Sequence, residues 1–349
     1  MANPKFQTFC AAFWPTRPIT RSRAAAVFDL CNGFVYSQIL TACVTSDLLA
    51  ALRDKNMTLE EIAAQCELPN DGAKRLVLGA VALEILEPRS NDRYGLGAVG
   101  AAVLGNPGLQ GMIAHHDLFY RDLADPLALL KERTKTTALA SYWRYSPAKD
   151  GDAEERAAMQ RYSDLMRDTQ YVVADEVLRA YKFQDHACLM DVGGGDGTFL
   201  KCASEKAPDL KLKLFELPNV VDIARTRLTE ARVTAESHAG NMFEDDWPEG
   251  ADLITLIRVA LDHDDDAVEN LMARARKALK PGGVLLLAEP MADSRKVGHA
   301  YFGLYLWAMG SGRGRTSDEL SEMLRRTGFT EIRVLSTGVP DLVRVIQAA

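Results

Sequence analysis

The sequence predicts a two-domain α/β protein, in which a helical N-terminal region precedes a doubly wound, mostly parallel sheet. The chain has 349 residues, more than one ordinary hydrophobic core accommodates. Through about the first 180 residues, apolar residues recur at three- and four-residue spacing, the period of an amphipathic helix. From Ala187 onward, strand-like apolar runs alternate with helical ones, which is typical of βα units. We place the boundary in the predicted helix Ala153–Tyr181, which gives domains of residues 1–165 and 166–349.

The N-terminal region is predicted to contain a winged-helix unit. A long helix, Ala24–Leu49, comes first. The capping box Thr58–Glu61 then opens a helix over Leu59–Cys66, since the threonine hydroxyl and the glutamate carboxylate can each accept a first-turn N–H group. A second helix over Ala73–Leu86 and a short β-turn-β wing over 87–95 complete the unit.

A winged helix can bind DNA, but this one lacks the necessary side chains. Its second helix carries only Lys74 and Arg75 as cations, whereas a recognition helix needs polar side chains for bases and phosphates. The net charge of −7 also gives no basic footprint for nucleic acid. We therefore expect no nucleic-acid partner and assign the unit a structural or dimerisation role.

Composition favours a cytoplasmic protein. The six cysteines form no CxxC pair, which suits free thiols in a reducing compartment, and no ligand cluster suggests a metal. The N-terminal residues lack the pattern of a signal peptide. Uninterrupted apolar runs such as 283–288 fall far short of the roughly 20 residues that span a bilayer.

The C-terminal region is predicted as a series of strands and helices that ends in an antiparallel pair. The predicted strands cover 188–192, 212–217, 251–258, 283–290, 331–336 and 342–348. The predicted helices cover 198–205, 220–231, 267–279 and 317–326.

A glycine-rich loop, Asp191–Gly197 (DVGGGDG), joins the first of these strands to a helix. Gly193 and Gly195 let the backbone turn tightly and approach a ligand without an obstructing Cβ. Glu216 ends the second strand, 19 residues after the last loop glycine, where a carboxylate can accept from both hydroxyls of a ribose. The pattern indicates a nucleotide site.

The carboxylates in the loop indicate which nucleotide-containing ligand the site binds. Asp191 and Asp196 would repel the pyrophosphate of a dinucleotide, which needs backbone N–H groups facing it. They suit a ligand with a cationic amine and no phosphate. S-adenosylmethionine has an ammonium, a sulfonium and no phosphate, so we predict this methyl donor as the cofactor.

The motif series resembles that of a known family. DVGGGDGTFL, FELPNVV, AGNMFEDDWP, RVALDHDDD, LKPGGVLLLAEP and GRGRTSDELSEML are similar to the successive motifs of class I S-adenosylmethionine-dependent small-molecule O-methyltransferases. FVYSQILTAC and AYFGLYLWAMGSGRGRT most resemble the bacterial carotenoid branch, which methylates the 1-hydroxyl of hydroxyneurosporene or demethylspheroidene. The resemblance implies a Rossmann-like methyltransferase domain over 166–349 and a dimerisation and substrate-capping domain over 1–165, hence a homodimer.

The resemblance also implies a substrate and a set of donor-binding residues. An apolar, hydroxylated small molecule fits the aromatic residues before Ala187 and in Tyr301–Met309, and transient association with a membrane surface would give access to it. Asp191, Gly193 and Gly195 would hold the amino acid portion of the donor, and Glu216 its ribose. The remaining implied contacts are Asn241 and Met242 at the adenine and Arg258 near the donor carboxylate.

Two positions depart from the family pattern. Relatives read LHDW or LHDH after the fourth strand, and this histidine deprotonates the acceptor hydroxyl. Aligned on Asp262, the present chain has Leu261 there, although Glu289 matches the carboxylate that would orient the histidine. A further glutamate is missing before Arg315-Thr316.

Several interpretations of this departure stay open. The base could be His263, two residues on, or His115 or His116 on an N-terminal helix, or Glu289 itself. An aliphatic hydroxyl loses its proton late, so positioning of the donor and acceptor could suffice with a weak base. The alternatives are a donor-binding pseudoenzyme or regulator, and a same-scaffold enzyme with other chemistry, such as C-methylation.

Overall fold

The computed structural model describes residues 3–131, 136–143, 169–293 and 297–349. The chain divides into two compact units, Met1–Ala114 and His115–Ala349. The predicted boundary between residues 165 and 166 lies outside the described residues and stays a prediction.

The first unit consists of helices and a small three-stranded antiparallel sheet. Its helices are α1 (Pro4–Ala12), α2 (Arg17–Thr45), α3 (Leu48–Ala51), α4 (Leu59–Gln65), α5 (Asn70–Ala82) and α6 (Ala98–Leu104). Its strands are β1 (Met57–Thr58), β2 (Leu86–Arg89) and β3 (Arg93–Leu96), in the order β1-β3-β2. The predicted helix–turn–helix–wing order and the Thr58–Glu61 capping box are confirmed.

Several predicted helix bounds in this unit were wrong. The first long helix ends at Thr45 rather than Leu49, α4 ends at Gln65 rather than Cys66, and α5 begins at Asn70 rather than Ala73. The first long helix begins at Arg17 rather than Ala24, because Pro18 occupies the first turn, where a missing N–H group costs nothing. The helix α5 ends at Ala82, and Leu86 pairs with Leu96 in the wing instead. Glu84, between them, has a φ of 56°, a left-handed conformation that does not continue a helix.

The helix α2 bears on the expectation that no apolar run of the chain is long enough to span a bilayer. Its 29 residues are long and apolar enough to cross a membrane by length and composition alone, a test that soluble core helices and signal sequences also pass. Asp29 and Asn32 interrupt its apolar residues, so it contains no long uninterrupted apolar run. Within the first unit, Ile39, Leu40 and Cys43 of α2 pack into the hydrophobic core with Leu48 and other residues, so this half of the helix is a core element.

The second unit is built on a seven-stranded sheet. The strands are β4 (Cys188–Val192), β5 (Lys211–Glu216), β6 (Glu236–Ala239), β7 (Ala251–Ile257), β8 (Leu279–Glu289), β9 (Ile332–Leu335) and β10 (Arg344–Ala348). Their order is β6-β5-β4-β7-β8-β10-β9, in which β10 is antiparallel to both neighbours and the remaining pairs are parallel. The predicted doubly wound, Rossmann-like class and its terminal antiparallel pair are confirmed.

The second unit also contains helices, which lie on both faces of this sheet and beside it. They are α7 (Pro107–Asp122, from His115 in this unit), α8 (Pro126–Lys131), α9 (Ala138–Trp143), α10 (described over 169–180), α11 (Thr198–Lys206), α12 (Pro218–Glu230), α13 (Asp265–Ala278), α14 (Val297–Met309) and α15 (Ser317–Arg326). Side chains of β4 alternate between two cores: Met190 packs in one with Leu271 and Leu324, and Leu189 packs in the other with Phe199. This parallel order brings the ends of β4, β5, β7 and β8 to one edge, where ligands bind in such sheets.

Candidate active site

The loop after β4 adopts the conformation that its glycines were predicted to provide. Gly193, Gly195 and Gly197 have φ values of 69°, 58° and 81°, a left-handed region that residues with a Cβ rarely adopt. A Cβ on Gly193 would also lie 2.9 Å from a methyl group of Val259. The backbone N–H of Gly193 donates to the carbonyl of Phe215 at 3.0 Å, which fixes the loop against β5.

Asp191 lies at the base of this loop, and one of its carboxylate oxygens is buried without a hydrogen-bond partner among the described residues. The Thr255 hydroxyl donates to Oδ1 at 2.6 Å, whereas Oδ2 has no hydrogen-bond partner among the described residues. Burial raises the pKa of Asp191 to about 7, against the hydrogen bond from Thr255, and the nearby Glu216 raises it further. A buried oxygen without a partner suits a donor supplied by a ligand.

Glu216 lies on the other side of the loop, at the end of β5. The N–H of Gly195 donates to Oε1 at 3.3 Å and the N–H of Leu217 donates to Oε2. Burial raises the pKa of Glu216 to about 7, although both N–H groups oppose the shift. The structure therefore brings Asp191, Gly195 and Glu216 together.

Asp196 has a different role from the one assumed in the sequence argument. Its carboxylate accepts from the N–H and the hydroxyl of Thr198, at 3.1 and 2.7 Å, and forms an ion pair with Arg227. The charge of Asp196 is thus compensated within the protein and fixes the start of α11. Of the two loop carboxylates, Asp191 is the one that remains for a cationic ligand.

The segment after β6 places one of its two predicted residues against the loop. The sulfur of Met242 lies 3.8 Å from the position of a Cβ on Gly193. The Asn241 Oδ1 accepts from the N–H of Phe243 at 3.0 Å, and the Asn241 N–H donates to Asp245 at 2.7 Å. The amide of Asn241 therefore keeps an acceptor lone pair and its NH₂ group for a ligand.

Arg258 follows β7 in a strained backbone conformation. Its φ of 57° is unfavourable for a residue with a Cβ and costs about 1–3 kcal/mol. Such a conformation therefore persists only where the surrounding structure imposes it. The guanidinium donates to the Thr169 hydroxyl at 2.7 Å and to the side-chain Oε1 of Gln170 at 3.4 Å, and both residues lie on α10. Such strain, held by named contacts at the end of a strand, is typical of a functional site.

The turn with the missing histidine is held by Glu289 at the end of β8. The N–H groups of Val259 and Ala260 donate to Glu289 Oε1 at 2.9 and 2.7 Å, and Oε2 has no partner among the described residues. Leu261 follows in a short 3₁₀ turn, Ala260–Asp262. Glu289 therefore fixes the backbone of this turn whichever side chain occupies position 261.

Asp262 and Glu289 form a buried carboxyl pair. Burial, together with the proximity of Asp262, raises the pKa of Glu289 to about 8, and the two N–H groups and Arg258 oppose this shift. Burial also raises the pKa of Asp262, and Arg258 opposes this shift. Since its pKa is about 8, Glu289 is protonated at neutral pH and cannot accept a proton until it ionises.

Leu261 itself belongs to an apolar cluster of the second unit. It is buried and packs in a group with Phe119, Tyr305 and Met309, and partly buried aromatic residues such as Tyr301 surround the group. Position 261 therefore supplies no proton acceptor, and its surroundings are apolar and aromatic.

His263, the first alternative base, has contacts of a structural kind. Its carbonyl accepts from the Arg315 guanidinium at 2.7 Å, and its ring packs edge-on against Phe243 with centroids 4.8 Å apart. Burial lowers the pKa of His263, and the charge of Arg315 lowers it further. The structure shows no contact between His263 and Glu289.

Two histidine–tyrosine pairs join α7 to α14 beside the Leu261 cluster. His116 Nε2 lies 2.9 Å from the Tyr301 hydroxyl, and His115 Nε2 lies 3.0 Å from the Tyr305 hydroxyl. Burial lowers the pKa of His116, and burial together with the neighbouring His116 lowers that of His115 to about 4. Both rings are neutral at pH 7 and can accept a proton.

Sequence reasoning missed the partners of these groups. Tyr301 and Tyr305 were identified as aromatic lining and not as hydrogen-bond partners of the histidines, whose helix is distant in sequence. Thr255 was missed as the partner of Asp191, although it is the lone hydroxyl in the apolar strand β7. That lone hydroxyl was the available signal.

The site fits the predicted cofactor. Asp191 offers an unpartnered buried oxygen, Glu216 offers a carboxylate beside Gly195 at the end of β5, and Gly193 leaves space that a Cβ would fill. The buried, unpartnered oxygen of Asp191 disfavours a phosphate and favours an ammonium, whereas the charge of Asp196 is compensated by Arg227. The fold and the site thus define the class of S-adenosylmethionine-binding enzymes.

Comparison with known proteins specifies the class further. The family model of the O-methyltransferase domain matches residues 120–330, and that of the O-methyltransferase dimerisation domain matches residues 28–106. The chain belongs to the O-methyltransferase family. It is an S-adenosylmethionine-dependent O-methyltransferase, and the dimerisation domain supports a homodimer.

Two curated relatives cover nearly all of the chain. The demethylspheroidene O-methyltransferase of Rhodobacter capsulatus is 39% identical over 95% of this chain and 83% of its own length. That of Cereibacter sphaeroides is 38% identical over 95% of this chain and 88% of its own length. The predicted family, close to the carotenoid branch, is confirmed.

Solved structures confirm the fold. The mitomycin 7-O-methyltransferase has a TM-score of 0.80 at 23% identity and covers 94% of this chain and 99% of its own. The human N-acetylserotonin methyltransferase, solved in complex with S-adenosylmethionine, has a TM-score of 0.79 at 22% identity, covering 93% and 97%.

The raised pKa of Glu289 makes the free energy of unfolding depend on pH. Between its ordinary pKa of 4.5 and its folded pKa of about 8, Glu289 keeps a proton that the unfolded chain has released. The folded state then binds more protons, so its stability falls as pH rises, by up to about 1.4 kcal/mol per pH unit for this group. We expect the Tm of Glu289→Gln to depend less steeply on pH than that of the wild type between pH 5 and 8, measured without ligands.

The matched control is Glu230→Gln, on the exposed end of α12, which should keep the wild-type pH slope. If Glu289→Gln melts with the same slope as the wild type, the assignment of the buried proton to Glu289 is wrong.

Proposed function

We propose that this O-methyltransferase methylates the hydroxyl of a long apolar polyene, of the 1-hydroxy carotenoid type, in carotenoid biosynthesis. The observation that carries this substrate class is the apolar, aromatic cluster around Leu261, at the position where a base would face a polar, acidic acceptor. The two demethylspheroidene O-methyltransferases that align with almost the whole chain support the same class. An aliphatic hydroxyl suits a site without a strong base, because its proton leaves late in methyl transfer.

Residues at the sheet edge bind and orient the donor in this proposal. Asp191, Gly193 and Gly195 hold the amino acid portion, and Glu216 accepts from the ribose hydroxyls. Asn241 and Met242 flank the adenine, and Arg258 faces the carboxylate end. When bound, S-adenosylmethionine supplies an electrophilic methyl group.

We infer that the acceptor proton goes to the His116–Tyr301 pair. As the acceptor oxygen gains the methyl group, its proton passes to the Tyr301 oxygen, and the Tyr301 proton passes to His116 Nε2, 2.9 Å away. The neutral ring of His116 and the position of Tyr301 in the cluster around Leu261 support this route. His263 is the weaker candidate because its contacts are with Arg315 and Phe243, and Glu289 is weaker because it is protonated at neutral pH.

The organisation of the chain follows from these roles. We keep residues 1–165 as the dimerisation and substrate-capping domain and residues 166–349 as the donor-binding domain. A cytoplasmic location fits a donor that is made in that compartment and six free cysteines.

The product of the reaction tests the substrate class. Purified enzyme, S-adenosylmethionine and detergent-dispersed 1-hydroxyneurosporene should yield the methoxy carotenoid, detected by mass spectrometry. Neurosporene, which lacks the hydroxyl, is the matched control and should stay unmodified. A product from neurosporene would indicate C-methylation. Donor binding in calorimetry without turnover on any hydroxylated acceptor would instead support the donor-binding pseudoenzyme or regulator, the alternative that Leu261 favours.

A further inference from the structure

A buried arginine binds the carbonyl groups of residues 259–263, here called the 259–263 turn. Arg315, in the segment between α14 and α15, is 2% exposed. Its guanidinium donates to the carbonyl of Ala260 at 2.8 Å and to that of His263 at 2.7 Å. Glu289 accepts from two N–H groups of the same turn, at 2.9 and 2.7 Å. The turn is therefore held through its N–H groups by one buried side chain and through its carbonyls by another.

The guanidinium of Arg315 uses all of its donors in this position. Its Nε and one terminal nitrogen bind Asp265 Oδ1 at 2.9 and 2.7 Å, and the other terminal nitrogen also donates to the carbonyl of Arg313 at 3.3 Å. With the two carbonyls of the turn, these contacts occupy the five N–H groups of an arginine. A lysine has three donors on one nitrogen and cannot reproduce this planar fork. Apolar residues of similar volume often stabilise a fold as well as a buried, paired charge does, so the arginine indicates a conformational role.

The backbone of residues 312–313 packs closely against the same turn. The N–H of Arg313 donates to the carbonyl of Leu261 at 3.1 Å. Gly312 has a φ of 78°, and a Cβ at this position would lie 2.2 Å from the same carbonyl oxygen. The turn therefore has no space to move toward this segment, and the segment has no space for a methyl group.

The 259–263 turn lies between the glycine-rich loop after β4 and the aromatic cluster. A methyl group of Val259 lies 2.9 Å from the position of a Cβ on Gly193, so this end of the turn packs against the loop. Two residues on, Leu261 packs with Tyr305 in the apolar cluster. A shift of the turn would therefore change how the loop and the cluster lie relative to each other. A misplacement of about 1 Å can cost about 10²-fold in the rate of a reaction between two bound groups.

We propose that Arg315 is a positioning residue for methyl transfer, which fixes the 259–263 turn and thereby aligns the acceptor with the donor. This inference rests on the proposed function, because it places the acceptor in the cluster around Leu261. Alignment has particular weight in this enzyme, since position 261 supplies no base. Arg315 contacts neither ligand in this role and acts through the backbone that it binds.

Steady-state kinetics of Arg315→Lys tests the proposal. We expect kcat for 1-hydroxyneurosporene to fall about 10- to 100-fold, with the KM of the acceptor and the donor affinity in calorimetry within about twofold of the wild type. The matched control is Arg313→Lys, whose guanidinium binds Asp265 and Glu319 instead of the turn, and it should keep the wild-type kcat. A loss of donor affinity in Arg315→Lys by the same factor as kcat would make Arg315 a structural residue and overturn the proposal.

A second pair of variants displaces the turn without removing a charge. Gly312→Ala places a methyl group against the carbonyl of Leu261 and should lower kcat by a similar factor, again with little change in donor affinity. Gly314→Ala is its control, because a Cβ there would lie 3.7 Å from the Cβ of Ala292, an ordinary contact, and it should keep the wild-type kcat. A wild-type kcat in folded Gly312→Ala would contradict the proposal even where Arg315→Lys does not fold.

Hydrogen–deuterium exchange reports on the turn in the absence of an acceptor. Exchange of a peptide that spans the 259–263 turn should be at least about tenfold faster in Arg315→Lys and Gly312→Ala than in the wild type and in the two control variants. Unchanged exchange in both variants would overturn the proposal even if kcat fell. Absence of methoxy product from the wild type would contradict the proposed function alone, and the exchange would then decide whether Arg315 fixes the turn.

Discussion

Glu216→Ala is expected to weaken S-adenosylmethionine binding by at least about 100-fold. The carboxylate would accept two ribose hydroxyls, and each hydrogen bond to a charged group contributes about 1.5–3 kcal/mol. Glu216→Gln keeps an acceptor for the N–H of Gly195, 3.3 Å away in the wild type, and should lose about tenfold. Calorimetry gives both affinities.

Proton release provides a second measurement of the same group. Burial raises the pKa of Glu216 to about 7, and ligand donors favour its ionised form, so binding at pH 6.5 should release protons. The affinity of the wild type should accordingly rise with pH up to about 7 and then level off. Titrations in two buffers of different ionisation enthalpy should show less release for Glu216→Gln, with Asp191 supplying the remainder.

Glu236→Ala is the control for these variants. It removes a glutamate from the adjacent strand β6 that pairs with Lys213, outside the loop, and should bind the donor as the wild type does. Wild-type affinity in Glu216→Ala would show that the ribose lies elsewhere.

His116→Phe is expected to lower kcat by about 10²–10⁴, the usual contribution of a general base, with donor affinity unchanged. Phenylalanine keeps the ring packing against Tyr120 and Tyr301 and removes the acceptor nitrogen. Tyr301→Phe should lose a comparable factor if the proton passes through the hydroxyl. Steady-state kinetics on 1-hydroxyneurosporene, with calorimetry for the donor, separates catalysis from binding.

Two comparisons sharpen this experiment. Leu261→His in the His116→Phe background should recover part of kcat, because it returns a base to the turn that Glu289 holds. His115→Phe, in the neighbouring pair with Tyr305, should lose less than His116→Phe, since burial and the adjacent His116 make His115 the weaker base. Equal losses in the two phenylalanine variants would assign both histidines to helix packing.

Much of the fold follows from the periodicity of the sequence. The strand Cys188–Val192 and the helix Ser317–Arg326 have their predicted bounds, because a short run that is apolar except for Asp191 defines the one and a capping box starts the other. The strand Glu236–Ala239 was not predicted. Its sequence, ESHA, has no apolar pattern, and it forms because β5 offers an unpaired edge.

Contacts of the candidate site could be predicted where both partners belong to the same strand–loop–helix–strand pattern. The proximity of Gly195 to Glu216 follows from the spacing of the loop and the second strand. The contacts of Asp191 with Thr255 and of His116 with Tyr301 join residues 64 and 185 positions apart, and they depend on strand order and helix packing. Spacing could not predict these contacts, and the same limit left the choice among His116, His263 and Glu289 open.

The way Glu289 holds its turn bears on how such enzymes diversify. It binds the N–H groups of Val259 and Ala260, so the turn keeps its shape whether residue 261 is a histidine or a leucine. We therefore expect substitutions at position 261 to change reactivity while the backbone of the turn stays in place. A saturation library at position 261 would be a compact starting point for evolving new acceptor specificity on this scaffold.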